Sequence, residues 1–331
     1  TTTSVELDAL VGKGVPRYFI VTAANAAGES LPTGVAGVQR PRKDDDPRVL
    51  IVNGYENLDA NQCPMLKIET GLGSTKAGGG EVRLVRPHMI NAGNYGALIG
   101  KSLSDLTVSF DACDKAGLLS GNVSIKQYKA VIWLAGNQSI NSGTLTPAEQ
   151  QILESYLQED RGLFLSGANL ADDLWEATKG RDFMTTSLRV SGAGSDPGAA
   201  EAIALRSGIF AGMKDRIRFG PTVAPYPVDP VDRLEAGEGA LPLLTYAEPS
   251  SGTAAVLSER ETARSVVFGF PIEAVDGADV RKDILERIMI ALEVLPGEDT
   301  PAYTKRKKAE TKAETKAEAK AEKAKLAEEM K

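Results

Sequence analysis

Histidine and cysteine are scarce in this sequence. The 331 residues include a single histidine, His88, and two cysteines, Cys63 and Cys113. Zinc sites built from clusters of Cys and His need more of these ligands than the chain supplies. Any mechanism of the Ser–His or Cys–His type has to use His88 or proceed without histidine. The composition therefore excludes the usual Cys/His zinc sites and leaves few ways to activate a nucleophile.

Long apolar runs and an excess of basic charge are absent as well. No run reaches the ~18 apolar residues that a membrane-spanning helix needs, so no such helix is predicted. The net charge of −7 argues against a nucleic-acid partner, which would bind a basic surface. Hydrophobic and charged contents of 42% and 25% are ordinary for a globular protein. At this length we expect one large core with appendages, or two domains.

Changes in composition divide the chain into four parts. Residues 1–39 are β-rich, and the charged, proline-framed segment 40–48 is typical of a linker. Residues 49–296 alternate strand and helix patterns, and residues 297–331 form a low-complexity tail of Ala, Glu and Lys. In the tail, like charges recur at four-residue spacing, which weakens a helix slightly. The tail is either a solvated, partly helical extension or a helix that docks through its alanine row (Ala309, Ala313, Ala317 and Ala321).

The part from 49 to 296 has the pattern of an α/β domain. Apolar runs at 48–54, 128–139 and 265–273 predict buried strands. A helix is predicted to start at Thr146, with Pro147 in its first position and Glu149 completing a capping box. Strands that alternate with helices indicate a parallel sheet covered on both faces. Ligands of such sheets bind beyond the carboxyl ends of the strands.

The stretch RGLFLSGANLADDL (161–174) is the strongest candidate for a reactive site. It predicts a short strand, a tight turn and a helix, which is how α/β hydrolases present a nucleophile. Ser166 is the candidate nucleophile, and the bases available to it are the carboxylates of Asp172, Asp173 and Glu273. The structural alternative is that Ser166 is a small residue that permits the turn and caps the next helix.

Acids and amides collect where the predicted strands end. Their oxygens suit Ca²⁺ or Mg²⁺ better than zinc, and paired carboxylates could catalyse glycosidase-type chemistry. Asp and Asn at strand ends are also ordinary caps and turn formers, so a metal site is left open. From this set we take Asn53, Asn137 and Asp173 as candidate ligand-binding residues. The set is Asn53, Glu56, Asp111, Asp114, Asn137, Gln138, Asn169, Asp172, Asp173, Glu273 and Asp276.

The β-rich start resembles the last strands of a fibronectin type III domain. The motif V-T-A-x-N-x-x-G-x-S is present from Val21 to Ser30. A whole domain of this kind needs roughly 90–100 residues, and about 40 precede the linker. The resemblance implies the C-terminal part of a β-sandwich, which is truncated or completed by another chain or domain.

The order of motifs from PRVLIVNGYENLD to VVFGFPIEAV resembles a class I glutamine amidotransferase-like module. Such modules follow fibronectin type III domains in secreted bacterial proteins that are labelled N-acetylmuramoyl-L-alanine amidase or xanthan lyase. The resemblance implies a three-layer, flavodoxin-like α/β fold with a parallel sheet, and it places Ser166 at the nucleophile elbow. Working members carry a cysteine between glycines at the elbow and a His-Pro-Glu after the late strand. This chain has neither cysteine there, and residues 270–273 (FPIE) keep the glutamate without the histidine.

These observations predict a non-catalytic or degenerate amidotransferase-like module. We expect it in a secreted, extracellular or cell-envelope protein, where it assembles or positions that protein on cell wall, peptidoglycan or polysaccharide. The alternative is a hydrolase, an amidase or a polysaccharide-degrading enzyme, that uses Ser166, Glu273 and Asp172 or the acidic cluster. No cofactor is predicted. A flavodoxin-like strand order and a secreted location favour a Cys63–Cys113 disulfide, with two buried free thiols as the alternative.

Overall fold

The structure is a computed structural model of the chain. It describes residues 11–30, 33–44, 46–55, 65–68, 80–83, 94–137, 144–176, 180–214, 216–220, 226, 228–247, 250, 252–260 and 263–297. The segments 65–68 and 80–83 are described by their backbone. The predicted tail lies outside the described residues beyond Gly297.

The described residues form a mixed α/β protein. The helices are α1 (Tyr95–Asp105), α2 (Lys115–Leu119), α3 (Pro147–Tyr156), α4 (Leu170–Glu176) and α5 (Ala278–Ala291). A π-helix spans Phe183–Leu188, and 3-10 turns span Ile125–Gln127 and Ile272–Ala274. The strands are β1 (Arg17–Phe19), β2 (Ala24–Asn25), β3 (Gly28–Glu29), β4 (Ala36–Gln39), β5 (Arg48–Asn53), β6 (Met65–Ile68), β7 (Gly80–Arg83), β8 (Ser109–Asp114), β9 (Ala130–Asn137), β10 (Arg161–Ala168), β11 (Val190–Asp196), β12 (Glu201–Ala204), β13 (Ile217–Arg218), β14 (Val231–Ala236), β15 (Ala240–Tyr246), β16 (Thr253–Glu259) and β17 (Ala263–Phe268).

Five parallel strands form the middle of one large sheet. Their order is β8-β5-β9-β10-β17, and each neighbouring pair runs parallel. Numbered along the chain, this is the 2-1-3-4-5 order that the sequence resemblance implied. Parallel strands are usually buried on both faces. The apolar run from Val49 to Val52 agrees with this, because none of its side chains is exposed. The carboxyl ends of all five strands therefore meet at one edge of the sheet.

Helices cover both faces of this parallel sheet. Side chains of successive strand residues alternate between faces, and Val49 and Ile51 join one core whereas Leu50 and Val52 join another. The first core includes residues of α1 and α5, and the second includes residues of α3 and α4. The capping box predicted at the start of α3 is confirmed, since the Thr146 hydroxyl accepts from the Glu149 N–H and the Glu149 side chain accepts from the Thr146 N–H.

An antiparallel extension follows β17 at one side of the sheet. The strands β16, β15, β12 and β13 continue the sheet in that order, and β14 pairs with β16 and β11. These strands come from residues 190–259, where Gly and Pro are frequent and the sequence shows no clear period. The extension makes the sheet mixed rather than wholly parallel, and it brings β14 close to the end of β10.

The first strands lie on the opposite side of the same sheet. Strand β4 pairs antiparallel with β8, and β1 pairs with β4. The Tyr18 ring stacks on Phe110, with 6.2 Å between the centroids, and the buried Gln39 side chain donates to the Val108 carbonyl over 3.1 Å. The predicted fibronectin type III part is therefore not supported. The described residues of this segment instead add strands to the α/β sheet. Pairing with β8 gives β4 backbone hydrogen bonds that the open edge of a half-sandwich would lack.

The described helices are all too short or too polar to cross a membrane. This agrees with the prediction made from the hydropathy of the sequence.

Candidate functional site

The turn after β10 is centred on Asn169. Strand β10 runs through Ser166 and ends at Ala168, Asn169 adopts a positive φ of 62°, and α4 starts at the next residue. A nucleophile elbow is a sharp strand-to-helix turn of this kind, and Asn is among the few residues that tolerate this conformation. Gly167 and Ala171 flank Asn169 at the positions where the elbow motif has glycines. The elbow position is therefore Asn169. The sequence analysis had placed it three residues earlier, at Ser166.

Ser166 lies inside the strand and is fully buried. Its register partner on β17 is Phe268. The Ser166 hydroxyl donates to the Phe270 carbonyl over 2.9 Å and accepts from the Ile272 N–H over 2.7 Å. Both bonds hold the segment after β17 against β10, so this hydroxyl has a structural role here.

Asp232 supplies a buried carboxyl at the start of α4. Its Oδ2 accepts from the Ala171 N–H over 2.8 Å, and its Oδ1 is buried without a hydrogen-bond partner among the described residues. Burial raises the pKa of Asp232 to about 8, although the backbone at Ala171, Asp172 and Leu170 acts to lower it. The start of α4 therefore faces a carboxyl from strand β14.

Glu273 forms a second buried acidic site near the end of β17. Its Oε1 accepts from the Tyr226 hydroxyl over 2.9 Å, and its Oε2 is buried without a hydrogen-bond partner among the described residues. Burial raises the pKa of Glu273 to about 7. The Tyr226 ring packs against Tyr95, 5.7 Å between centroids. Glu273 can hold or release a proton near neutral pH, but its hydrogen bond goes to Tyr226 and not to Ser166.

The two aspartates of α4 have different surroundings. Asp173 accepts from the N–H and the hydroxyl of Thr144, over 2.9 and 3.0 Å. Asp173 therefore fixes the chain ahead of α3. Asp172 is buried, and desolvation together with Glu176 and Asp173 raises its pKa. In the described part of the chain no hydrogen bond joins Asp172, Glu273 and Ser166 to one another, so the three candidate catalytic residues do not form a relay.

Two of the candidate ligand-binding residues, Asn53 and Asn137, hydrogen-bond to other acids and amides at this edge. The Asn53 amide donates to Asp114 over 3.2 Å, and the Asn169 amide donates to the Asn137 side-chain oxygen over 3.1 Å. Within the described ranges, no group of three His, Cys, Asp or Glu side chains could hold a metal ion. His88 lies outside those ranges.

Neither tryptophan offers an open platform for a sugar ring. Trp133 is buried in the core, and its indole lies so close to Gly54 that a Cβ there would be 2.0 Å from its Nε1. The Arg181 guanidinium lies over one face of Trp175, with Cζ 4.9 Å from the ring centroid.

The predicted disulfide is not supported. Cys113 is a free thiol, and Cys63 lies outside the described residues. Burial, with the carboxylates of Asp114 and Asp111, raises the pKa of the Cys113 thiol to about 12. A half-buried thiol that stays protonated reacts slowly, since the thiolate is the nucleophile.

The reactivity of Cys113 provides a direct test. In the Cys63→Ser variant we expect Ellman's reagent to label no thiol of the folded protein at mildly alkaline pH, and to label one after denaturation. The Cys113→Ser variant is the matched control and reports Cys63 alone. Rapid labelling of folded Cys63→Ser protein would contradict the raised pKa of the Cys113 thiol.

Sequence reasoning missed Asp232 and Tyr226. Both come from the segment without a clear period, and their sequence neighbours carry no motif that would single them out. The sequence does contain a signal for the elbow at Asn169. The spacing of Gly167, Asn169 and Ala171 follows the elbow motif with one glycine replaced by alanine.

Comparisons with known proteins find distant structural similarity. No protein-family model and no curated protein matches the chain. A cytoplasmic protein from Salmonella typhimurium matches with 11% identity and a TM-score of 0.43, over 75% of this chain and 98% of its own. A β-galactosidase from Rahnella sp. R3 matches with 11% identity and a TM-score of 0.45, over 76% of this chain and 32% of its own. A glutamine amidotransferase from Thermotoga maritima matches with 14% identity and a TM-score of 0.36, over 80% of this chain and 92% of its own.

A glutamine amidotransferase is thus among the structures that match the chain. This finding agrees in part with the sequence resemblance, which implied an amidotransferase-like module. No family match supports the fibronectin type III segment or the amidase and xanthan lyase labels. The expectation of a secreted, extracellular or cell-envelope location is wrong. Two of the matched structures, both from Salmonella typhimurium, are described as cytoplasmic proteins.

Proposed function

We propose that this chain is a non-catalytic, degenerate amidotransferase-like module with a flavodoxin-like, three-layer core, and that it acts in the assembly or positioning of a larger protein. The observation that carries the proposal is the residue at the elbow. Asn169 holds the strained turn between β10 and α4, where an acyl-transfer enzyme needs a thiol or a hydroxyl. A carboxamide is not such a nucleophile, so the turn keeps the shape of an elbow without its reactive group.

The surroundings of the elbow support the same conclusion. In enzymes of this architecture, the N–H of the residue after the nucleophile stabilises the oxyanion of the intermediate. Here that residue is Leu170, and the N–H of the next residue, Ala171, donates to the Asp232 carboxyl over 2.8 Å. A carboxyl at this place excludes a negatively charged intermediate both sterically and, once ionised, by repulsion.

The alternative function is hydrolysis through Ser166 or the buried acids. The pKa of about 7 for Glu273 favours it, because a general acid or base works best near the ambient pH. Against it stand the complete burial of the Ser166 hydroxyl and its two backbone hydrogen bonds. A nucleophile has to reach its substrate, and this oxygen is enclosed.

An activity comparison tests the proposal. We expect wild-type protein, Ser166→Ala and Glu273→Gln to hydrolyse glutamine and p-nitrophenyl acetate at the same background rate. We also expect a fluorophosphonate probe to leave Ser166 unlabelled. Ser166→Ala should cost about 1–2 kcal/mol of stability through its two lost hydrogen bonds, which a urea titration measures. Turnover that disappears in folded Ser166→Ala or Glu273→Gln would establish the hydrolase instead.

A further inference from the structure

Two arginines lie at the C-terminal end of the π-helix. The helix spans Phe183–Leu188, and Arg189 is its C-cap residue. Arg260 follows β16, and its Nη1 donates to the Thr186 carbonyl of the same helix over 3.4 Å. Strand β17 begins three residues after Arg260, next to the start of β10. The two arginines therefore lie near the amino ends of the parallel strands, whereas the elbow follows a carboxyl end.

Neither arginine has an acidic partner in the described part of the chain. Glu259 precedes Arg260 but pairs with Arg264, over 3.4 Å. Burial, followed by the positive charge of Arg189, lowers the pKa of Arg260. Two like charges therefore act on each other here without a carboxylate to balance them. An anion held by both guanidinium groups would offset this repulsion.

Most N–H donors of the two guanidinium groups have no acceptor within the described ranges. An arginine side chain carries five such donors. Arg189 uses one on the Glu238 carbonyl over 3.4 Å, and Arg260 uses one on the Thr186 carbonyl. Both bonds are longer than the usual ~2.7–3.2 Å. Because both side chains are half-buried, each keeps an exposed part that a small ligand can reach.

The surrounding backbone holds Arg189 in place. Arg189 has the left-handed conformation, with a φ of 52°, which is uncommon for a residue with a side chain. Its carbonyl accepts from the Gly237 N–H over 2.7 Å. A Cβ at Gly239 would lie 2.3 Å from Nη1 of Arg189, so the turn between β14 and β15 needs a glycine there to make room for the guanidinium. Uncommon backbone conformations that the surrounding structure enforces cluster at ligand sites.

We propose that Arg189 and Arg260 together bind a phosphate group, either of inorganic phosphate or of a small phosphomonoester. Forked guanidinium donors match the oxygen atoms of a phosphate, and two positive charges balance its charge of about −1.5 to −2. A carboxylate would balance only one of them. The net charge of −7 gives the protein no general attraction for anions, so binding depends on this pair.

Capping of the π-helix alone does not explain the arrangement. Cations stabilise the C-terminal end of a helix, and the bond from Arg260 to Thr186 agrees with this role. Arg189, however, donates to Glu238 outside the helix, so capping leaves its guanidinium without a role. The inference does not depend on the proposed function, because this site and the elbow lie at opposite ends of the parallel strands.

Isothermal titration calorimetry of the full chain with inorganic phosphate, at constant ionic strength, tests the inference. We expect saturable binding with a dissociation constant of about 1 mM or below. Arg189→Gln and Arg260→Gln should each weaken it at least about tenfold, because each removes charged hydrogen bonds. Arg206→Gln, which removes a positive charge at an exposed position of the antiparallel extension, is the matched control and should leave binding unchanged. An absence of saturable binding at millimolar phosphate, or equal affinities in all four proteins, overturns the proposal.

Gly239→Ala separates a built site from general electrostatic attraction. It keeps both positive charges but places a Cβ against the Arg189 guanidinium, so we expect binding to weaken at least about tenfold. Circular dichroism confirms that each variant is folded. Unchanged affinity in folded Gly239→Ala contradicts the proposed role of Arg189. Titration with phenyl phosphate identifies the source of the phosphate group: tighter binding than inorganic phosphate favours a phosphomonoester, and weaker binding favours the inorganic ion.

Discussion

Asp232→Ala is expected to have a free energy of unfolding about 1–3 kcal/mol lower than that of Asp232→Asn. The alanine substitution removes the acceptor for the Ala171 N–H and leaves this donor buried at the start of α4. It also breaks the contact between β14 and the elbow. Urea unfolding at neutral pH, followed by tryptophan fluorescence, measures the change.

Asp232→Asn is the control for this experiment. With a pKa of about 8, the aspartate is mostly protonated at neutral pH, and asparagine is neutral, of similar shape and able to accept through its oxygen. We expect Asp232→Asn to be more stable than wild type at pH 7, because between the ordinary pKa of 3.8 and the folded value of about 8 the folded aspartate keeps a proton that the unfolded chain has lost. Equal stabilities of Asp232→Ala and Asp232→Asn would show that the side chain at this position does not hold the helix start.

The second large effect is a loss of stability as pH rises, which Glu273→Gln should remove. The pKa of Glu273 is 4.5 in its ordinary state and about 7 in the folded protein. Between these values the folded state keeps a proton that the unfolded state has lost, so the free energy of unfolding falls as pH rises through this window. The difference corresponds to about 3 kcal/mol, at about 1.4 kcal/mol per pH unit. Above the folded pKa no further loss arises from this group.

Glu273→Gln keeps an oxygen that accepts from Tyr226 and cannot ionise. We expect wild type and Glu273→Gln to have similar stabilities near pH 4, below the ordinary pKa of 4.5, and Glu273→Gln to be more stable by up to about 3 kcal/mol near pH 8. Asp232 titrates in both proteins, so the difference between them isolates Glu273. Parallel pH profiles for the two proteins would contradict a raised pKa at this site.

The parallel core could be predicted from the sequence because its signals are local. Apolar runs such as Val49–Val52 need both faces covered, and the capping box from Thr146 to Glu149 fixes the start of α3. The fibronectin-like motif from Val21 to Ser30 predicted the last strands of a β-sandwich, but a local motif does not specify the sheet that its strands join. Pairing of β4 with β8 joins residues far apart in sequence.

The position of the turn after β10 could not be predicted from the residue types alone. Ser166 and Gly167 are small and typical of a turn, so the strand was expected to end there. In the structure Ser166 keeps its pairing with Phe268 on one side and Leu134 on the other. These neighbours carry β10 on to Ala168 and move the turn to Asn169. Tertiary pairing therefore overrides the local turn preference.

The partners of the acidic groups were beyond sequence reasoning for a related reason. Asp232 reaches the elbow because β14 pairs with β16 and β11 in the antiparallel extension, and Tyr226 reaches Glu273 from the same part of the chain. Glycine and proline interrupt that region, so no period indicates which residues face the parallel core.

In the proposed non-catalytic module, the Asp232 carboxyl fills a backbone donor of the elbow by accepting from the Ala171 N–H. The decisive measurement is the amide chemical shift of Ala171, followed by NMR against pH in wild type and Asp232→Asn. We expect this amide to titrate in wild type with the pKa of about 8 of Asp232, and we expect no such titration in Asp232→Asn. An Ala171 amide that does not respond to pH and is unchanged by the substitution would show that this donor is free and that the elbow is not blocked.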